Sequence, residues 1–461
     1  MSESATPLRL GAFAIEIRAS FLLAWPMVLT NLAQMGQGAT DVVMMGWLGP
    51  RALAAGALGT NLYFGAMIFG LGLVTATAPM VARQIGRSPH SVRDVRRTLR
   101  QGLWSACLVS LPLWLLLWQA EPLLRLLGQD GELARDAALY LHALQWAILP
   151  FLAYLVLRSF LAALERPRAA LIVMVFAILL NAFLAFGLMF GRFGLPLLGL
   201  VGAGIATTIS SWAMFLGLAF YLILTPRFRR YRLFGNFWRP DWERLVEFWR
   251  IGLPIGATMA LEVSVFNAAV FLMGLIGADS LAAHQIAIQI ASLSFMVPMG
   301  LGQAASVRVG RALGSGDRLG VAHAGWAAFF LAESFMALMA ILFLLVPERF
   351  VGVFLSLNDA GNAEVVRLAI GFLGWAALFQ LVDGAQAVGS GMLRGLHDTR
   401  IPMLFAAFGY WGVGLPLGAF LAFGRGLAGA GIWIGLAAGL AVVAVLMISR
   451  WMRRQSLGLV G

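Results

Sequence analysis

Three carboxylates stand where charge is costly: Asp41 in MGQGATDVVMMG, Glu262 in GLPIGATMALEVSVFN and Asp383 in FQLVDGAQAVGSG. An Asp near the centre of a membrane helix costs about 2.5–3.5 kcal/mol on insertion scales, and a Glu should cost something comparable unless neutralised or partnered. Acids in such surroundings mark ion pathways, because a carboxylate in an apolar segment can take up a proton or ligate a cation. At about 100° per residue, Asn31, Gln34, Gly38 and Asp41 fall on one helix face. Thr258, Glu262 and Phe266 share a second face, and Gln380, Asp383 and Ser390 a third with Gln386 at its margin. Gln285, Gln289 and Ser292 form a fourth, with His284 beside them. The expectation is an oxygen-rich site for Na⁺ or H⁺ at Glu262 and Asp383, and a proton-titratable site at Asp41. The alternative is a set of interhelical hydrogen bonds, which Ser or Asn would supply at lower cost than three carboxylates.

The elements that must position these residues are membrane helices. Of the 461 residues 61% are hydrophobic and 12% charged, and apolar runs long enough to cross a hydrocarbon core roughly 30 Å thick recur throughout, leaving no room for a soluble domain. Twelve helices are expected, near 17–45, 53–82, 98–118, 135–162, 169–191, 199–225, 248–275, 280–307, 321–346, 364–391, 401–424 and 428–451. Basic residues alternate by loop: Arg83, Arg87, Arg93, Arg96, Arg97 and Arg100 follow the second helix, and Arg227, Arg229, Arg230, Arg232, Arg239 and Arg244 follow the sixth. The positive-inside rule then places both termini and the loop at 226–247 in the cytoplasm. The N-terminal stretch lacks a short apolar core with a cleavage site, so the first helix is expected to act as its own uncleaved targeting signal.

The chain repeats. A shift of 228 residues lays Pro26 on Pro254, Gly49 on Gly277, Leu53-Ala54-Ala55 on Leu281-Ala282-Ala283 and Arg83 on Arg311, without a gap through two helices. Near the ends of the halves, Val201-Gly202-Ala203-Gly204-Ile205 echoes Ala428-Gly429-Ala430-Gly431-Ile432. The unit is six helices, and an even-numbered repeat keeps its orientation in the membrane, so the fold expected is all-α with two parallel six-helix lobes and a cleft between them. The lobes would span 1–225 and 248–461, joined by the linker at 226–247. Glu262 falls opposite Gln34 and Asp41 opposite Ala269, so the lobes are not chemically equivalent.

Several function classes drop out. No lysine occurs, which removes a complete Walker A motif and Schiff-base chemistry. The histidines at 90, 142, 284, 323 and 397 are scattered, with no HExxH or CxxC, so an enzyme has little support and no cofactor is expected beyond Na⁺ or H⁺ as coupling ion. The formal charge of +12 is distributed as topology requires. Contact with membrane lipid headgroups is expected, and no nucleic acid. Cys107, alone, is a packing residue. Glu333 in AFFLAESFMALM has only Ser334 as a polar neighbour and is expected to be protonated or peripheral. His284 could relay protons or pack, and the methionines at 27, 35, 44, 45, 259, 296 and 299 could line a drug cavity or fill a core.

Taken together, WPMVLTNLAQMGQGATDVVMMGWLG, LEVSVF around Glu262, LAAHQIAIQIASLSFMVPMGLGQAASVRVGRALG and VDGAQAVGSGMLRGLHDTRIP resemble the multidrug and toxic compound extrusion (MATE) family, in its NorM-like branch. The resemblance covers nearly the whole chain, with Asp41, Glu262 and Asp383 each in the matching motif. It implies a monomeric two-lobed antiporter exporting cationic amphipathic drugs, small organic cations, in exchange for Na⁺ or H⁺ across a bacterial inner membrane. The family's fifth helix usually carries two asparagines a turn apart. NAFLAFG keeps Asn181 but has Ala185 at the second position, so the main coupling site is expected in the C-terminal lobe, with Asp41 and Asn181 supporting. A flippase for a lipid-linked precursor is the rival use of such an architecture, but it would want a large cationic cavity.

Overall fold

The computed structural model describes residues 10–88, 90–233, 235, 238, 241–357 and 359–460. Arg239 and parts of the expected targeting segment and linker lie outside the described residues. In hydrocarbon every backbone amide must be satisfied within the protein, which leaves helices as the means for this composition to cross. Among the described residues there is no strand, and twelve helical spans are long and apolar enough to cross a membrane. They are α1 (Gly11–Leu48), α2 (Pro50–Arg87), α3 (Val92–Trp118), α4 (Gly131–Ala163), α5 (Arg168–Phe190), α6 (Leu200–Leu224), α7 (Trp242–Ile276), α8 (Ala278–Gly314), α9 (Arg318–Leu345), α10 (Ala360–Gly395), α11 (Arg400–Gly424) and α12 (Ala428–Met452).

Most expected spans are too short at one or both ends. Hydropathy sees only the apolar core of a helix, whereas α2, α3, α7 and α8 continue through polar turns such as Ala82–Arg87 and Val92–Thr98. Pro26 and Pro254 sit inside continuous helices. Other irregularities carry no signal of this kind: a break at Ala76 in α2, a 3-10 turn at Gln145–Ala147 in α4, and π-helical stretches at Ala407–Gly414 and Phe420–Gly424 in α11.

The repeat is visible in the backbone as well as in the letters. Gly199 (φ 56°) before α6 and Gly426 (φ 70°) before α12 both take a positive φ, which glycine adopts at least cost. Glu165 (φ 57°) after α4 and His397 (φ 62°) after α10 do the same without that advantage. Asp130 accepts from the Glu132 and Leu133 amides at the start of α4, and Asp359 accepts from the Gly361 amide at the start of α10, the side-chain capping that a helix N-terminus requires. The chain is thus an all-α polytopic protein of two six-helix halves related by a parallel internal repeat.

The chain divides into two compact units, Leu29–Gly256 and Met1–Val28 with Ala257–Gly461. In the first, Gly72 of α2 lies against Gly256 of α7, and Trp249 donates to Ser105 of α3 at 3.0 Å. Arg97 of α3 donates to Asp241, which also accepts from the Arg244 amide; the guanidinium holds the Asp241 carboxyl below the usual carboxylate range. In the second unit α8, α10 and α12 form the centre. Gly302 of α8 meets Gly391 of α10 backbone to backbone, and Arg308 pairs with Glu16 of α1. Small residues permit such approaches, from which helix association in lipid draws much of its energy. Gly391→Val would drive a side chain into the Gly302 backbone, and overpacking of this kind costs about 1–3 kcal/mol. The expected result is a lower midpoint of thermal unfolding in detergent, and an unchanged midpoint would show that the two helices cross less tightly.

Candidate functional site

Glu262 and Asp383 come together. They line one cavity of about 190 Å³, with Phe266, Asn267, Ser292, Phe295 and Phe379 in its wall. Asp383, on α10, is 5% exposed and its Oδ1 is enclosed without a hydrogen-bond partner. Glu262, on α7, is half-buried. Thr258, one turn earlier on α7, is buried. The site is therefore a small, mostly apolar chamber holding two carboxylates, which is chemistry for a monovalent cation or a proton. Among the described residues no group of three or more His, Cys, Asp or Glu side chains is arranged as a metal centre.

The neighbouring polar residues separate into two kinds. Gln380 is structural: Ser294 of α8 donates to its Oε1 at 3.0 Å, and its Nε2 donates to the Met336 carbonyl of α9 at 3.2 Å. Gln386 is buried with its Oε1 unpartnered, and the Tyr410 phenol of α11 lies within electrostatic range of Glu262 and Asp383 and beside Gln386. The π-helical register of α11 carries Tyr410. Gln285 and Gln289 are exposed residues of α8 and are absent from the described cavity wall.

His284 is fully buried, with its ring edge-on to Trp433 at 5.4 Å. Trp433 meets Phe379 at 5.6 Å, and Phe379 meets Phe266 at 6.0 Å. An aromatic chain thus joins His284 to the cavity wall. Neither ring nitrogen has a hydrogen-bond partner, so packing, without the polar contacts its neighbours suggested, accounts for its position.

Glu333 requires a correction. Of the two alternatives expected for it, protonated or peripheral, the peripheral one fails: its Oε1 is enclosed, and a Cβ at Gly384, next in sequence to Asp383, would lie 2.9 Å from it. It also lies within electrostatic range of Asp383. The relevant neighbour is on another helix, and the only trace in the sequence is the glycine after Asp383.

The first unit places Asp41 differently. Its Oδ1 is enclosed without a partner, and Tyr140 of α4, whose hydroxyl is 3.3 Å from that of Thr60 on α2, is within its electrostatic range. Asn181 is tied to α6 through Thr207 at 3.2 Å and Ser210 at 3.3 Å. Ala185 is fully buried one turn on. Gln34 is half-buried. Asn31 accepts from Arg158 of α4 at 2.7 Å, and both are buried. Arg158 is the residue that inspection of acids overlooked: a lone base in YLVLRSFLAAL is the same signal as a lone acid.

The MatE family model matches residues 26–187 and 254–420, one block in each half, covering well over half of the chain. The chain belongs to the MatE family. Among curated relatives of this MatE chain, the probable multidrug resistance protein NorM of Mesorhizobium japonicum is 58% identical over 439 residues, 95% of this chain and 94% of that protein. The multidrug resistance protein NorM of Burkholderia vietnamiensis is 42% identical over 450 residues, 97% of this chain and 96% of that protein. In fold it resembles the eukaryotic MATE transporter AtDTX14, with a TM-score of 0.83 at 24% identity, over 97% of this chain and 98% of that one.

The Asn31–Arg158 contact offers a test of what the polar residues of the first unit do. Removing one partner of a buried charged hydrogen bond costs about 3–5 kcal/mol in the breaking of a buried pair, and less where other acceptors remain. Asn31→Leu is expected to lower the thermal midpoint well beyond the change produced by Gln34→Leu. Equal midpoints would show that Arg158 does not depend on Asn31.

Proposed function

We propose that the protein is an antiporter of the bacterial inner membrane that exports cationic amphipathic drugs and related toxic organic cations, driven by Na⁺ or H⁺. The observation that carries this reading is the cavity shared by Glu262 and Asp383. Two acids at membrane depth, one with an unpartnered oxygen, are costly as structure and useful as an ion site. Multidrug resistance names on relatives of 42–58% identity support the substrate class.

The mechanism is alternating access. Na⁺ or H⁺ taken up at Glu262 and Asp383 neutralises charge in an apolar wall and favours the conformation that releases the exported cation. A ligand can shift such an equilibrium only by its difference in affinity between the two conformations. Asp41 on α1 and Asn181 on α5 have a supporting or protonation role in the N-terminal lobe. The lobes in this scheme are 1–225 and 248–461, with 226–247 as linker and both termini in the cytoplasm, a topology that the arginine-rich loops favour by the positive-inside rule. The protein acts as a monomer in contact with lipid, with no resident cofactor.

The test is efflux of ethidium from proteoliposomes under a Na⁺ gradient and a pH gradient imposed separately. One gradient is expected to drive it, and Asp383→Asn or Glu262→Gln to slow it at least about tenfold, equivalent to about 1.4 kcal/mol. Gradient-driven efflux undiminished in both variants would refute the site. Absence of efflux from folded wild-type protein under either gradient would refute the class.

A further inference from the structure

At the end of α6 the chain turns through a short helix, Pro226–Arg229, and then through a loop in which Phe228 and Tyr231 point inward. Both are almost fully buried against Phe160 of α4, with ring centroids 6.4 and 5.3 Å away, and Phe228 also meets Tyr221 at 5.9 Å. This aromatic plug fixes the loop. Beside it lies a hollow of about 460 Å³ walled by Leu222, Ile223, Phe228 and Leu233, with Arg229 and Arg232 in its lining. Arg232 has a positive φ (43°), which a residue with a side chain occupies only at a cost.

The two arginines are set apart by lining an apolar hollow without facing a carboxylate among the described residues. Arg97, Arg244, Arg308 and Arg450 each face a carboxylate, and Arg230 lies over the Tyr231 ring at 5.0 Å and donates to its hydroxyl. Arg229 makes one long contact to the Ile223 carbonyl at 3.4 Å and, like Arg232, has no ion pair among the described residues. An apolar hollow with two uncompensated guanidinium groups, at the end of a membrane span, complements a molecule with an anionic head and a hydrocarbon tail.

We propose that this hollow is a binding site for an anionic phospholipid, with the phosphate held by Arg229 and Arg232 and an acyl chain entering between Leu222, Ile223 and Leu233. Guanidinium groups suit phosphate because they donate in a planar fork. The loop is anchored to α4 through Phe160 and to α6 through Tyr221, so an occupied hollow braces the loop that follows α6.

The experiment uses the full chain in nanodiscs of phosphatidylcholine containing phosphatidylglycerol, with lipid retained on release into detergent counted by native mass spectrometry. Arg229→Gln with Arg232→Gln is expected to reduce retained phosphatidylglycerol at least about tenfold, because the guanidinium–phosphate hydrogen bonds of the hollow are lost. Arg166→Gln with Arg168→Gln, the same change in charge at exposed arginines outside the hollow, is expected to leave it within about twofold, since they hold no phosphate there. Leu233→Asn is expected to reduce retention without any change in charge. Equal losses in the two double variants would reduce the effect to general surface charge and overturn the proposal. Full retention in Leu233→Asn would remove the acyl chain and overturn it too. Displacement of the lipid by inorganic phosphate, against chloride at matched ionic strength, would make the hollow a site for a free anion and would also overturn it.

Discussion

Hydrocarbon tolerates neither an unpaired backbone amide nor an isolated charge, and both constraints act on every span of this chain. The first dictates helices and then polices their defects. Where α2 breaks at Ala76, the Thr75 and Thr77 hydroxyls donate to the Gly72 and Val74 carbonyls at 2.6 and 2.7 Å, supplying partners within the helix itself. The second constraint gathers charge into a few places. Glu262, Asp383 and Glu333 occur in one compact unit; Asp41 and the Arg158–Asn31 contact occur in the other. A charge scattered at random along such spans would make each of them harder to insert.

The polar residues that are not charged divide according to whether their hydrogen bonds close. Gln380 bonds to both α8 and α9, and Asn181 bonds twice to α6. These contacts hold helices at fixed spacing. Asp383, by contrast, keeps an enclosed oxygen with no partner. The two facts belong together, because an unsatisfied carboxylate is tolerable only if the helices around it are held by something else. Gly302 against Gly391 and the Gln380 contacts do that work for α8, α9 and α10.

Much of this was legible in the letters. Span count, the six-helix repeat and the three principal acids all followed from apolar run length and from single charges inside those runs, which are properties of one segment at a time. What escaped was relational. Glu333 has no polar neighbour on α9, and its carboxyl reaches Gly384 of α10 only because the two helices pack. Tyr410 reaches the site on a π-helical stretch for which apolar periodicity has no template. The true helix ends escaped for another reason, since polar turns beyond the hydrocarbon are still helical but leave the apolar run. Arg158 escaped through a bias toward acids, not through lack of signal.

The repeat explains how two halves can share a backbone and differ in chemistry. Backbone hydrogen bonds within a helix do not involve side chains, so the positive-φ turns at Gly199 and Gly426 and at Glu165 and His397 persist while the residues between them diverge. Gln34 then stands where the other half has Glu262, and Ala269 where the first has Asp41. Each half retains a polar first helix, but the acid has moved by about two turns along it, the seven residues between Gln34 and Asp41. A symmetric distribution would place acids at both depths in both halves and double the insertion cost. Dividing them leaves one half with paired acids over a cavity and the other with a single acid near Tyr140, which is an arrangement suited to unequal roles.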